Sequence, residues 1–160
     1  MGSGKTTVGK LVAKGLNRQF VDTDEFLEAH YGPAKYILNS PGGDDVFNAI
    51  EEAIAQTLSS QSKRIIATGG RFCLNPKNVA ALSHNSIFLC LHAPLEELVS
   101  RLTVSAQNTY RPRFAASENK YQLMHDLSVL SEPHFSHFEQ IPTGGRPPQA
   151  VADELILRFG

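Results

Sequence analysis

Neither sign of charge dominates this chain: 15 lysines and arginines against 16 aspartates and glutamates leave a formal charge of -1. No basic field therefore argues for nucleic acid or an anionic membrane, and any partner is recognised locally. Cysteine is scarce. Cys73 and Cys90 stand in or beside apolar stretches with no C-x-x-C spacing, which favours reduced thiols and a cytoplasmic setting over a single disulfide. Long apolar runs are missing as well, none approaching the roughly 18 residues of a membrane span. Neither secretion nor a transmembrane segment is expected. There is no internal repeat, low-complexity tract or long linker, so residues 1–160 are expected to form one domain.

What is present is an alternation of strand-like and helix-like stretches. Val8, Leu11, Val12 and Leu16 follow "GSGK" at helical spacing, and "QFVDTD" is a short strand running into acids. "DEFLEAHYG" reads as a helix stopped by Gly32 and Pro33. "DDVFNAIEEAIAQTLSS" reads as a longer one with Asp44 and Asp45 in its favourable first turn. "RIIATGG" and "SIFLCL" predict strands, the second covered on both faces, and "FEQIP" a weak one; "NPKNVAALS", "PLEELVSRLTVSA", "YQLMHDLSVLSEPHF" and "PPQAVADELILRF" predict helices. Between the second and third of these helices, "QNTYRPRFAASENK" is polar and broken by proline. Such alternation indicates an α/β fold with a parallel sheet covered by helices.

Gly2, Ser3, Gly4, Lys5, Thr6 and Thr7 form the end of a phosphate-loop pattern, G-x-x-x-x-G-K-[ST], placed at the start of a helix. There the free backbone N–H groups and the positive end of the helix dipole face an anion. Lys5 can reach terminal phosphates and Thr6 can offer a hydroxyl to Mg²⁺. Asp22 and Asp24 in "VDTD" lie at a strand's C-terminal end, where open α/β sheets bind ligands; on an extended chain both point to one face. One suits a hydrated metal, the other an acceptor hydroxyl, although Asp24 is equally well placed to cap the following helix.

These elements together resemble the shikimate kinase family of P-loop small-molecule kinases along nearly the whole chain. The resemblance rests on "MGSGKTTVGKLVAKGL", "FVDTDEFLE", "RIIATGG", "IFLCLHAPLEELVSRL", "RPRF" and "GGRPPQAVADEL" in order. It implies a three-layer α/β P-loop kinase fold with strand order 2-3-1-4-5, and transfer of the ATP γ-phosphoryl group to a hydroxyl of shikimate or a related hydroxy acid or polyol. By resemblance Lys5 and Arg111 would stabilise the transferring group, Thr6 and Asp22 would hold Mg²⁺, and Asp24 would orient the acceptor beside Gly69, Gly70 and Arg71. Arg101 and Arg146 would lie at the nucleotide. The implied partner is a small hydroxy acid, met by a monomeric chain.

Departures from the pattern gather on the acceptor side. Asn48 stands where the family places a carboxylate-binding arginine, Ser131 where it places a second, and Arg71 where it has a third glycine. A hydrogen bond to a charged group is worth about 1.5–3 kcal/mol, so two lost arginines correspond to roughly 3–6 kcal/mol, or about 10²- to 10⁴-fold in affinity. Arg71 either compensates, or points to solvent or obstructs the pocket. Two further readings stay open: an impaired nucleotide-binding or ligand-sensing domain, and another P-loop kinase such as a gluconate or nucleoside-phosphate kinase. His134 and His137 have metal-like spacing but no evident third ligand, and packing histidines are the simpler reading.

Family strand 1 and the first loop glycine would precede Met1. A buried five-residue central strand is worth roughly 8–15 kcal/mol at about 1.5–3 kcal/mol per aliphatic side chain, so the natural chain is expected to extend upstream.

Overall fold

The computed structural model describes residues 1–104, 114 and 117–160. Helix α1 (Lys5–Gly15) emerges from the glycine loop and leads to β1 (Gln19–Asp22). The helices α2 (Thr23–Tyr31), α3 (Ala34–Leu38) and α4 (Gly43–Ser59) then carry the chain to β2 (Arg64–Ala67). A 3-10 turn (Phe72–Leu74) and α5 (Pro76–Ser83) precede β3 (Leu89–His92). Two more helices, α6 (Leu95–Val104) and α7 (Lys120–Phe135), are followed by β4 (Glu139–Pro142) and α8 (Pro148–Phe159).

The strands form two parallel pairs. In one, Gln19 to Asp22 of β1 run in register with Arg64 to Ala67 of β2; in the other, Leu89 to His92 of β3 match Glu139 to Pro142 of β4. No described strand joins the pairs. This is the layout of a 2-3-1-4-5 order read without its central member. The "SIFLCL" stretch accordingly departs from the expected doubly covered strand. Only Leu89–His92 is extended, its residues are half-buried or exposed, and Ile87 is 69% exposed. With β4 on one edge and no described strand on the other, β3 lacks the flanking partner that would shield it.

Packing divides into three clusters. Val8 and Val12 of α1 meet Ile141 of β4 and Val151, Ala152 and Leu155 of α8. On the other side Phe47, Ile54 and Leu58 of α4 pack with Val21, Leu27, Phe72 and Leu82. The third joins Leu102 of α6, Phe114 and Met124 of α7. Helix α7 runs through Pro133, as the sequence pattern suggests, with Ser131 turned onto its own helix by hydrogen bonds to the Leu127 and Ser128 carbonyls.

The start of α2 differs from one expectation. Asp22, not Asp24, is the helix cap, its carboxylate accepting from the Asp24 N–H at 3.0 Å and the Glu25 N–H at 3.4 Å. The strand ends at Asp22, so Asp24 lies in the first helical turn. The two acids are neighbours through a turn rather than through strand alternation.

Candidate active site

Gly2 and Gly4 adopt φ values of +75° and +95°, left-handed conformations that L side chains rarely tolerate. Those two turns bring residues 2 to 4 across the N-terminus of α1, where the orphan N–H groups lie. Gly2, Ser3, Gly4, Thr7 and Val8 form one wall of a cavity of about 420 Å³. Glu97, Arg101, Thr143, Gly145, Arg146, Pro148 and Val151 complete it. The structure thereby collects the phosphate loop with Arg101 and Arg146, which stand far away in sequence.

Arg101 is a structural tie as well as a wall. Its Nη2 donates to Glu97 Oε1 at 2.6 Å and the Thr143 carbonyl at 2.7 Å, while Nη1 lies 3.3 Å from the Gly2 carbonyl and 3.2 Å from the Thr143 hydroxyl. Glu97 also accepts from the Gly145 N–H at 3.0 Å, the main cause of its lowered pKa. Thr143 is buried; its N–H donates to the His92 carbonyl at 2.7 Å, and its hydroxyl stands 3.2 Å from the Ser3 carbonyl and 3.1 Å from that of His92. One hydroxyl proton thus serves two acceptors. Arg146 reaches the Pro142 carbonyl at 3.0 Å and Glu154 at 2.7 Å. Glu97 and Thr143 escaped the sequence reading because neither belongs to a local motif.

The second end of the site begins at Asp22. Thr6 donates its hydroxyl to Asp22 Oδ2 at 2.9 Å, joining α1 to the end of β1. A hydroxyl and a carboxylate are hard oxygen donors of the type that Mg²⁺ takes alongside waters and phosphate oxygens, so this pair fits the metal implied by the pattern. Beyond it, the buried Thr23 hydroxyl accepts from the Gly69 N–H at 2.8 Å, and the Asp24 carboxylate occupies the space that a side chain on Gly69 would need. Only glycine permits that approach. Gly70 and Arg71 follow directly, so Asp24 and the glycine turn are brought together as predicted.

Arg71 is held by partners rather than directed freely into solvent. Its Nη1 donates to Asp44 Oδ1 at 2.9 Å, and its guanidinium lies over the Phe47 ring, 5.4 Å from the centroid. Asp44 thus does more than complement a helix dipole. Two turns further along α4, Glu51 is buried at 4% exposure, and its pKa is raised to about 7 by burial and the Asp24 charge, partly offset by Arg71. Asn48 is half-buried on the same helix. Glu51 was legible in principle, since Phe47, Glu51, Ile54 and Leu58 recur at helical spacing and all four are buried.

Other sequence candidates are not assembled. His134 and His137 line a smaller cavity of about 230 Å³ with Cys73, but among the described residues no three His, Cys, Asp or Glu side chains are grouped to hold a metal. Both cysteines carry free thiols whose pKa is raised by burial. Arg111 and Arg113 lie outside the described residues. No described helix is long and apolar enough to cross a membrane.

Comparison with known proteins agrees with this geometry. The family model for shikimate kinase matches residues 1–159. The chain belongs to the shikimate kinase family. It is 34% identical over 160 residues to the shikimate kinase of Thermodesulfovibrio yellowstonii, covering 99% of this chain and 90% of that one. With the shikimate kinase of Caldicellulosiruptor bescii it shares 36% identity over 157 residues, 98% of this chain and 89% of the other. Among solved structures, shikimate kinase from Acinetobacter baumannii in complex with shikimate superposes with a TM-score of 0.85 at 28% identity, covering 99% of this chain and 88% of that one. As a family member the chain is an ATP-dependent kinase, a phosphotransferase acting on an alcohol, with the P-loop α/β fold.

Proposed function

We propose that this chain transfers the γ-phosphoryl group of ATP to a hydroxyl of shikimate or a closely related hydroxy acid, acting as a single-domain cytoplasmic monomer. The carrying observation is the 2.9 Å Thr6–Asp22 hydrogen bond, which fastens the phosphate loop to the strand end whose next turn presents Asp24 against Gly69. On this reading the donor and acceptor ends of the site would meet at one junction. Phosphoryl transfer requires positioning and charge stabilisation more than covalent help from the protein, and this junction supplies the frame for both.

Gly2, Ser3, Gly4 and Thr7 would direct backbone N–H groups and a hydroxyl at the phosphates, with Lys5 countering charge on the transferring group. Arg101 and Arg146 would wall the nucleoside end. Thr6 and Asp22 would hold Mg²⁺, which when bound neutralises charge on the phosphate oxygens. Asp24 would accept a hydrogen bond from the acceptor hydroxyl and aim its oxygen. Arg111 is assigned to the transferring group on the family pattern alone.

Acceptor-dependent ADP release tests the proposal, with shikimate and gluconate compared in excess ATP. Release with shikimate that stops on chelation of the metal is the expected result. ATP binding with no release from any acceptor would instead select the ligand-sensing reading, which Asn48 and Ser131 favour; preferential turnover of gluconate would select a different kinase.

A further inference from the structure

Arg71 occupies the step after the Gly69–Gly70 turn and pairs with Asp44 at the start of α4, with side chains 41% and 74% exposed respectively. Asp24 and the buried Glu51 are the other carboxylates at this spot, and the Arg71 charge acts on Glu51. A carboxylate-bearing acceptor entering here meets acidic groups and a guanidinium whose contact is already taken. An exposed ion pair is favoured over solvent by only about one- to fivefold. A guanidinium fork can give an incoming carboxylate two parallel hydrogen bonds, whereas Asp44 takes one at Nη1. The Phe47 ring beneath the guanidinium keeps its plane oriented when Asp44 lets go.

We infer that Arg71 is the counter-ion for the acceptor's carboxylate and that Asp44 is a built-in competitor which the acceptor displaces, so the pair selects anionic hydroxy acids over neutral polyols. This rests on the proposed hydroxy-acid acceptor. The exchange makes and breaks only ion pairs: Asp44 returns to the solvent it already faces, and the acceptor carboxylate takes its place. A neutral polyol has nothing to offer the guanidinium and leaves the Asp44 bridge closed. Arg71 therefore stands in, from a different element, for cations that Asn48 and Ser131 cannot supply.

Steady-state kinetics on the full chain test this with shikimate and its carboxamide, which keeps every hydroxyl and loses the charge; the amide is read as substrate or competitive inhibitor. Arg71→Gln should raise KM for shikimate by about 10- to 100-fold, the range for a lost charged hydrogen bond, with a much smaller change in kcat. It should move the amide constant by less than about twofold. Asp44→Asn should lower KM for shikimate by about two- to fivefold and leave the amide constant in place. Equal effects of Arg71→Gln on acid and amide, or an unchanged shikimate KM in Asp44→Asn, would overturn the exchange. If the wild-type chain binds ATP but neither binds nor turns over shikimate, the hydroxy-acid reading falls and the exchange with it. Turnover with variant-insensitive KM overturns the exchange alone.

Discussion

The two ends of the site are built on opposite plans. At the nucleotide end, Arg101 alone bridges Glu97, Thr143 and the Gly2 carbonyl, and the buried Thr143 hydroxyl sits between Ser3 and His92. Each charge there is met by fixed partners, so the cavity walls are set before any ligand arrives. At the other end a solvent-facing ion pair, Arg71 with Asp44, stands near the buried Glu51, whose pKa is raised by burial and the Asp24 charge. Charge there is left in tension. The difference teaches that the end proposed for phosphates is preorganised by fixed partners, whereas the end proposed for the acceptor rests on an exposed ion pair that a ligand would be able to exchange.

The largest test of this contrast is Lys5→Ala. Losing a fixed positive charge at the transferring group should lower kcat by about 10²- to 10³-fold, the cost of one missing electrostatic donor. ADP-release kinetics at saturating ATP and acceptor measure it, and a loss below about tenfold would show that this end is less dependent on preset charge than proposed.

Glu51→Gln addresses the other end. The folded-state pKa of Glu51 is raised from 4.5 to about 7, so the folded protein favours the protonated acid. Its contribution to stability is full below the unfolded value and is lost as pH rises through the folded one. Across that window the shift corresponds to roughly 3–4 kcal/mol at ~1.36 kcal/mol per unit. Thermal denaturation from pH 4.5 to 8 should show a wild-type Tm falling with pH more steeply than that of Glu51→Gln; parallel curves would remove the tension from the acceptor end.

Smallest in effect is Thr143→Val, which keeps the shape of the buried side chain and removes the hydroxyl. A net loss of about 0.5–1.5 kcal/mol per hydrogen bond is expected, read as a lower Tm together with a weaker nucleotide Kd in calorimetry. A fall in Tm alone would make Thr143 a structural pin that does not shape the cavity.

Legibility in the sequence followed the same divide. The phosphate loop was readable because its glycines, lysine and threonine are contiguous and precede a periodic helix. The four strands were readable from short β-branched or apolar runs beside polar breaks. The Arg71–Asp44 pair was not, because 27 residues separate its members and no periodicity links a turn to the first coil of a distant helix. Asp44 looked like a complement to the helix dipole, which it also is. The sequence left Asp24 open as a cap because both acids are good capping residues, and only the end of strand pairing with Ala67 decides for Asp22. Half-coverage of β3 depended on its neighbours in the sheet, information that an apolar run does not contain.

The contact between Thr23, Asp24 and Gly69 has a further implication for substitutions at this turn. Because the Gly69 N–H is tied to the Thr23 hydroxyl and its missing side chain makes room for Asp24, the start of α2 and the glycine turn are joined at two adjacent points. Gly70, by contrast, faces open space, and Arg71 beyond it is held only at the surface. A side chain at position 70 or a change at position 71 therefore leaves the Thr23–Gly69 joint and the seat of Asp24 untouched, whereas a side chain at position 69 displaces both.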